Sequence, residues 1–319
     1  MKITFNHEKT LSHAAPPEDH CPFCQARADQ MLAELKDYHV KNGSSPDFSV
    51  FFCKTCQVGF SSPSLSDEEM ADYYPAEYEA YIPKRGLWDF LQEKKYLMDV
   101  KRLVKLTGGS SGSIFEVGSG RGEFLAQVKK RGFTVGGIEP GEAGRRYALE
   151  NFGISLQAGF AKELSFKQPN DCVVIRHVLE HVDRPEEVLQ KVFQKGLRQG
   201  GALFLKLPNY NSWERSFFGK YWDGLDQPRH RFHFTKAGIK KMLEDTGFTD
   251  VQIKEEIVPN SIVKSISFAQ KYGPPTAHAL LRPYDFIPMS VKLLAFQGVA
   301  LMCMPFEAAR MIVTARKPQ

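Results

Sequence analysis

This chain predicts an α/β fold, a parallel sheet with helices on both of its faces, and three observations predict it. Short apolar runs, IFEVG, TVGGIE, ISLQA and DCVVIRHV, alternate with segments of helical spacing through the middle of the sequence, the order that builds a parallel sheet. The run IFEVGSGRGEFL, 114–125, reads as a buried strand turning sharply into a helix, with Gly118, Gly120 and Gly122 where a Cβ would obstruct the turn. Glu139 closes the next strand about twenty residues on, where an acidic side chain can accept both hydroxyls of a ribose. Ligands of such sheets sit at the carboxyl ends of the strands, where Gly118 and Glu139 fall.

The turn is expected to bring bare backbone N–H groups and the positive end of a helix toward a ligand. Its glycine spacing alone fits several nucleotide-binding folds, or merely a tight loop. Glu116 narrows the choice, because a carboxylate there would repel a pyrophosphate but can pair, directly or through water, with an ammonium. S-adenosylmethionine carries such an ammonium and no phosphate. Here the sequence resembles the class I S-adenosylmethionine-dependent methyltransferases, whose first motif is an acidic residue followed by GxGxG, Glu116 to Gly120 in this chain. The resemblance implies a Rossmann-like sheet binding S-adenosylmethionine through Glu116, Gly118, Ser119, Gly120, Glu139, Pro140, Phe160, Ala161, Arg176 and His177. Where the family often has an acid for the adenine amino group, this chain reads GFAKEL, 159–164. The adenine contact is therefore expected from backbone near Phe160 and Ala161.

Taken from its start, the chain of 319 residues is long enough for one large domain and a small one, and 42% hydrophobic content is ordinary for a globular protein. A net charge of +5 permits an anionic substrate or membrane surface without demanding one, and no Lys/Arg block marks a nucleic-acid arm, DNA included. The opening MKITFNHEKTLSH lacks the apolar core of a signal peptide, which predicts a cytoplasmic protein. Cys21 and Cys24 form CPFC and Cys53 and Cys56 form CKTC, two hooks that suit a closed, structural Zn2+ site. Two disulfides in a secreted protein are the alternative. Gln25 and Gln57 stand where a glycine often follows the second cysteine of such a hook, and Cys172 and Cys303 read as plain buried side chains.

Between the hooks DQMLAELKDYHV reads as helix, NGSSPD as a turn and FSVFF as a strand. Ser66 before Asp67, Glu68 and Glu69 reads as an N-cap with an acidic first turn. Tyr73, Tyr74, Tyr78 and Tyr81 read as packing between the small module and the large domain, with a substrate-facing aromatic wall as the alternative. A subgroup of the methyltransferases is similar here too, with a CxxC…CxxC zinc ribbon, a hydrophobic strand, a proline and a YY…Y segment, matched in order by CKTCQVGFSSP and YYPAEY.

Residues 87–107 have amphipathic helical spacing, and GGSSGS, 108–113, is a flexible connector. After the fourth strand, His177, Glu180 and His181 spell HxxEH, the inverted zinc-protease pattern. That pattern needs a helix, whereas this one follows a strand and precedes a helix start with Asp183 as cap and Pro185 in the first turn. By resemblance the segment is instead the loop lining the donor and acceptor pocket, with His177 beside the methionine part of the cofactor. His181 is then a general base, a substrate contact or a histidine capping the loop.

The fifth strand, 200–209, leads into an aromatic and basic excursion, NYNSWERSFFGKYWDGLDQPRHRFHFT. It reads as an acceptor lid in which Arg229 grips an anionic group, Tyr210 and Trp222 line the substrate and His230 takes the proton released on methylation. A folded surface loop is the alternative, and His233 reads as packing under the next helix, TKAGIKKMLEDTGF. Then come a sixth strand, VQIKEEIV, and a last one, MIVTARKP. The apolar stretch between them, 287–306, is too broken to span a bilayer and would cover the cleft, form a homodimer contact or lie on a membrane surface.

The domains expected are a zinc-ribbon module with aromatic linker over 1–84, the methyltransferase domain over 85–256, a helical insertion over 257–307 and the last strand over 308–319. The function implied is methyl transfer to a small-molecule acceptor, by resemblance a sugar nucleotide, a glycan or a secondary metabolite, anionic or glycan-linked. An RNA methyltransferase is one rival, but residues 20–60 hold only Arg27, Lys36, Lys41 and Lys54 as cations, too few to track phosphates. A non-catalytic scaffold that retains the fold is the other.

Overall fold

A computed structural model describes residues 18–38, 47–66, 69–70, 72–74, 87–276, 281–302 and 307–319. Strands β1 (Asp29–Leu35), β2 (Phe48–Cys53) and β3 (Val58–Ser62) precede helix α1 (Leu87–Thr107). There follow β4 (Ser113–Val117), α2 (Glu123–Lys129), β5 (Thr134–Glu139), α3 (Glu142–Phe152), β6 (Gln157–Ala158), β7 (Asn170–Arg176) and α4 (Pro185–Lys191). The chain continues through β8 (Leu197–Pro208), α5 (Trp213–Phe218), β9 (Phe232–Phe234), α6 (Lys236–Thr246) and β10 (Thr249–Glu256). Helices α7 (Pro259–Tyr272) and α8 (Met289–Met302) and strand β11 (Arg310–Arg316) complete it. By contacts it divides into two compact units: the first is Met1–Tyr73, Leu207–Lys241 and Ile253–Ile312, the second Tyr74–Lys206, Met242–Gln252 and Val313–Gln319.

The larger sheet has seven strands in the order β10-β11-β8-β7-β4-β5-β6. The pairs β4/β5, β4/β7, β5/β6 and β7/β8 are parallel. At one end of β8 the Asn209 N–H donates to the Ala309 carbonyl (2.8 Å), and at the other the Gly200 N–H donates to that of Lys317 (3.1 Å), so β11 runs antiparallel to β8. The result is the α/β sheet that the alternation predicts. Ile114, Val117, Ile138, Val173, Val174, Leu203 and Leu205 are buried, as near-continuous apolar strands covered on both faces should be. From β4 the chain goes to β5 on one side and reaches β7 on the other. The junction of β4 and β7 is therefore the point where strand order reverses, and open parallel sheets bind ligands at such a point.

In the first unit β1, β2, β3 and β9 form a four-stranded sheet in that order. The helix expected over DQMLAELKDYHV is instead β1, antiparallel to β2 with Asp29 opposite Phe52, Leu32 opposite Val50 and Leu35 opposite Phe48. Its composition suits a helix, but pairing with β2 overrides that weak preference. Two irregularities in the register, with Glu34 at φ 55°, bring Leu32 and Leu35 to a core of Phe48, Val50, Tyr210, Trp222, Leu225 and Ala309.

The Ser66 cap holds as a reciprocal box, with the Glu69 N–H donating to Ser66 Oγ (3.1 Å) and the Ser66 N–H to Glu69 Oε2 (2.7 Å). Helix α4 departs from expectation, starting at Pro185 with Arg184 rather than Asp183 at the N-cap and no side-chain cap bond. His177 to His181 lie in turn and bend rather than in helix, which removes the geometry the protease pattern needs. Helices α7 and α8 occupy the insertion, with Leu294 and nearby Phe286 among its exposed apolar side chains. Among the described residues no helix is long and apolar enough to cross a membrane. The opening segment, Asp67, Glu68, Tyr78, Tyr81 and Cys303, together with most of NGSSPD, lie outside the described residues.

Candidate functional site

At the head of the glycine turn the backbone donors are already engaged. The N–H groups of Gly118 and Ser119 both donate to the Ile138 carbonyl, at 2.9 and 3.2 Å, and the Gly120 N–H donates to Glu139 Oε2 at 2.7 Å. This corrects the expectation of bare donors. A turn whose amides are spent on a carbonyl and a carboxylate is no phosphate cradle, and the same carboxylate repels an anion. Ser119 Oγ also turns inward, donating to the Glu116 carbonyl at 3.0 Å.

Two glycines have distinct reasons. At Gly118, φ +71°, an added Cβ would lie 2.3 Å from Val178 Cγ2, so the turn closes there only without a side chain. At Gly120, φ +53°, nothing lies within 4 Å of that position, so the chain leaves open space beside it.

Two carboxylates border this turn. Glu139, at the end of β5, is buried, accepts the Gly120 N–H on Oε2 and the Gly141 N–H on Oε1 (2.8 Å), and is thus fixed between the two loops. Burial raises its pKa, and the Gly141 and Gly120 amides oppose the rise. Pro140 follows it, and its carbonyl accepts from Arg145. Glu116, on β4, is fully buried, and one of its oxygens, Oε1, takes both Arg176 Nε (2.9 Å) and Nη2 (2.7 Å). Its other oxygen, Oε2, is buried and has no hydrogen-bond partner among the described residues. Burial raises the Glu116 pKa and Arg176 opposes that rise.

At the end of β7, His177 has φ 54°, a left-handed conformation that costs a non-glycine residue about 1–2 kcal/mol, and its N–H donates to the Lys206 carbonyl at 2.8 Å. Strain of this kind gathers at functional turns. His181 Nδ1 lies 3.1 Å from Tyr74 Oη, which fixes the ring. Phe160 is 58% exposed after β6, and Ala161 is buried beside it.

Arg229 has no exposed surface, forms a fork with Asp37 (Nη1 to Oδ2 and Nη2 to Oδ1, both 2.9 Å) and reaches Asp226 through Nε (2.8 Å) and Nη2 (2.6 Å). Its guanidinium holds two of the protein's own carboxylates, so the expected grip on an anionic acceptor gives way to an internal ion network. Tyr210 is a core side chain whose hydroxyl accepts from Arg215 Nη2 at 2.9 Å. His230 is buried, places Nδ1 2.9 Å from the Gly224 carbonyl and is held neutral mainly by burial. His233 and Phe234 are buried, in keeping with the packing reading. Trp222 is in the core as well, but it lines a cavity with Tyr38, Lys36, Lys220 and Phe268, and its Nε1 has no partner among the described residues.

The four hook cysteines come together, with each pair of sulfurs within 4.8 Å and Cys24 and Cys53 3.5 Å apart. Each is a free thiol. A Zn–S bond of about 2.3 Å in tetrahedral geometry puts sulfurs about 3.8 Å apart, so the set fits Zn2+. The hooks are alike in backbone: Gln25 and Gln57 have φ 61° and 56°, and their N–H groups donate to the Cys21 and Cys53 carbonyls at 2.9 and 2.8 Å. The glutamines thus adopt the conformation a glycine would take.

Sequence reasoning missed Glu214. It lies on α5, whose sequence WERSFF carries no buried-charge signal, yet it is 1% exposed and its Oε2 has no partner among the described residues. Burial raises its pKa to about 7, Glu255 adds to the rise, and its own and the Ala309 N–H oppose it. Because the folded value lies above the unfolded one, the native state holds this proton more tightly. Stability is therefore fully present in acid and falls as pH rises from about 4.5 to about 7. Glu214→Gln should melt several degrees above wild type at pH 8, a gain of roughly 1–3 kcal/mol, and with it at pH 5. Equal melting temperatures at pH 8 would rule out the buried charge as the cause.

A family model described as a methyltransferase domain matches residues 88–253. An uncharacterized methyltransferase of Staphylococcus carnosus is 32% identical over 105 residues, which is 32% of this chain and 50% of that protein. A ubiquinone biosynthesis O-methyltransferase of Pseudomonas fluorescens is 31% identical over 152 residues, 43% of this chain and 62% of that protein. The chain thus spans 50% to 62% of the length of these curated relatives. A Haemonchus contortus phosphoethanolamine N-methyltransferase 2 bound to phosphomonomethylethanolamine and S-adenosylhomocysteine superposes with TM-score 0.52 at 13% identity, over 88% of this chain and 71% of that one. At that identity the likeness is one of fold.

Proposed function

The chain belongs to the methyltransferase-domain family, and from that premise we propose that it transfers a methyl group from S-adenosylmethionine to a hydroxyl of a small-molecule acceptor. The observation that carries the reading is the turn itself, with its amides spent internally, open space at Gly120 and two buried carboxylates beside it. Such a site favours a ligand with hydroxyls and a cation over one with phosphates. Glu139, already oriented by the Gly120 and Gly141 amides, keeps acceptor capacity for ribose hydroxyls. Glu116 Oε2 is the group for an ammonium, and Phe160 offers an exposed ring for the adenine. Bound S-adenosylmethionine supplies a sulfonium methyl, an electrophile that mainly needs an aligned nucleophile. The protein's share is alignment and, where the acceptor requires it, a base. His181, its ring set by Tyr74, is the first base candidate. His230, neutral and buried with Nδ1 facing the Gly224 carbonyl, is the second.

An oxygen acceptor is favoured by the activity named for the Pseudomonas relatives, O-methylation. A sugar nucleotide, glycan or secondary metabolite remains the acceptor class proposed, with Trp222 and its unpartnered Nε1 as the excursion's contact. The cysteine set is proposed to hold a structural Zn2+. The apolar stretch with α8 is proposed to cover the cleft, to meet a second copy of the chain or to lie on a membrane surface, and the location proposed is the cytoplasm.

Calorimetric titration with S-adenosylhomocysteine, and with NAD as control, tests the reading. Binding of the first alone is expected, and binding of neither would move the scaffold reading forward. Glu139→Ala removes the ribose acceptor and leaves two amides without their partner. It should weaken S-adenosylhomocysteine by roughly ten- to hundred-fold, more than it slows turnover at saturation. Unchanged affinity would take Glu139 out of the site.

A further inference from the structure

We propose that Arg176 is a positioning residue: it holds Glu116 by Oε1 alone, so that Oε2 is left to take a ligand's ammonium. The inference rests on the cofactor reading above and goes beyond it, because it gives Arg176 no direct part in holding the cofactor. Three observations carry it. Both the guanidinium edge atoms, Nε and Nη2, converge on the same carboxylate oxygen, at 2.9 and 2.7 Å, rather than bridging the two. That leaves Oε2 buried and without a hydrogen-bond partner among the described residues, a costly state unless something charged or hydrogen-bonding arrives there. Third, the guanidinium packs against two rings, its carbon lying 3.8 Å from the centre of Phe124 and 5.0 Å from that of Tyr96.

The sequence builds this pairing from the sheet register. Glu116 and Arg176 lie on the neighbouring parallel strands β4 and β7, with Glu116 opposite Val174 and Val117 opposite Ile175. Arg176 therefore stands two residues beyond Glu116's partner, at the strand end, and its long side chain reaches back. Among the described residues, the groups that also act on Glu116 include acidic and neutral ones. They include Glu139 from β5, and Tyr96 and Asp99 from α1. Asp99 is itself held by Lys206 (3.0 Å) and Arg102 (2.8 Å), and Tyr96 Oη reaches Glu123 at 3.5 Å. Arg176 is a cation in contact with Glu116. Without it a fully buried carboxylate would take a proton and lose its attraction for an ammonium.

Three ligands separate the roles. S-adenosylhomocysteine carries both ammonium and carboxylate, its decarboxylated analogue keeps only the ammonium, and 5′-methylthioadenosine has neither. In Arg176→Met the first two should weaken together, by roughly ten- to hundred-fold at pH 7, while 5′-methylthioadenosine binds as in wild type. Affinity of the variant for S-adenosylhomocysteine should recover as pH rises from 6 to 8, and wild-type affinity should stay flat. Arg176→Lys, which keeps a cation, should restore most of the binding. Glu116→Gln should lose the ammonium ligands with no pH recovery, which keeps the test in force if Arg176→Met fails to fold. Equal weakening of all three ligands would overturn the inference, leaving Arg176 a merely structural residue. Loss confined to S-adenosylhomocysteine would also overturn it, by making Arg176 the carboxylate's contact. Wild-type protein that binds no S-adenosylhomocysteine would overturn the cofactor reading and this inference with it.

Discussion

Arg229→Met is expected to destabilise the first unit by about 3–5 kcal/mol, because it removes the guanidinium whose four hydrogen bonds hold Asp37 and Asp226. Asp37 has no exposed side-chain surface and receives two of the guanidinium's bonds, and Asp226, 13% exposed, receives two more. A thioether of similar length fills the space but donates to neither. The desolvated carboxylates then draw water into the core. Urea unfolding of the single variant should show a lowered midpoint. The double variant Arg229→Met, Asp37→Asn should recover part of the loss, since it neutralises one of the two carboxylates the guanidinium held. A single-variant loss below about 1 kcal/mol would mean that water already reaches the pair.

Metal removal should have a larger effect still. A structural Zn2+ contributes about 10–16 kcal/mol of apparent binding free energy in small peptides at neutral pH, and here the same ion would tie the first hook to the β2–β3 hairpin. Metal analysis of the purified chain should find one zinc per molecule. A strong chelator should remove it and lower the melting temperature by well over ten degrees, and Cys53→Ser should do the same without chelator. Phe23, inside the first hook, has its ring 4.9 Å from that of Phe232 on β9, so the loss should spread into the four-stranded sheet. Zinc-free protein with an unchanged melting curve would reduce the four thiols to ordinary buried cysteines.

Much of the fold was legible because it rests on local patterns. The apolar strands and the glycine turn state their conformation in a few consecutive residues, as does Ser66 with Glu69, and the structure follows them. The misread segments are those where a distant partner decides. DQMLAEL has helix-forming composition and becomes β1 because β2 lies alongside it. The candidate site divides in the same way. Glu116, Glu139 and the turn could be placed from spacing, but the engagement of the turn's amides by Ile138 could not, since it depends on how two strands close together. Arg229 misled for a plain reason. A basic residue in an aromatic loop reads as exposed, and its partner Asp37 stands 192 positions away. Glu214 carried no sequence signal, because only burial by remote chain makes it unusual.

The four-stranded sheet also has a consequence for synthesis. Strand β3 pairs with β9, and Ser61 Oγ donates to the His230 carbonyl across 169 positions of chain. At about 5–20 residues per second, roughly 8–34 s of translation separate the emergence of these two partners. Through that interval the β1-β2-β3 meander leaves the ribosome with the β3 edge unpaired, carrying Val58 and Phe60. An open apolar edge is a template for pairing with other chains. Early closure of the hooks on a metal ion would stiffen the meander while it waits, so zinc supply during growth should set how much of the nascent chain reaches the soluble fraction.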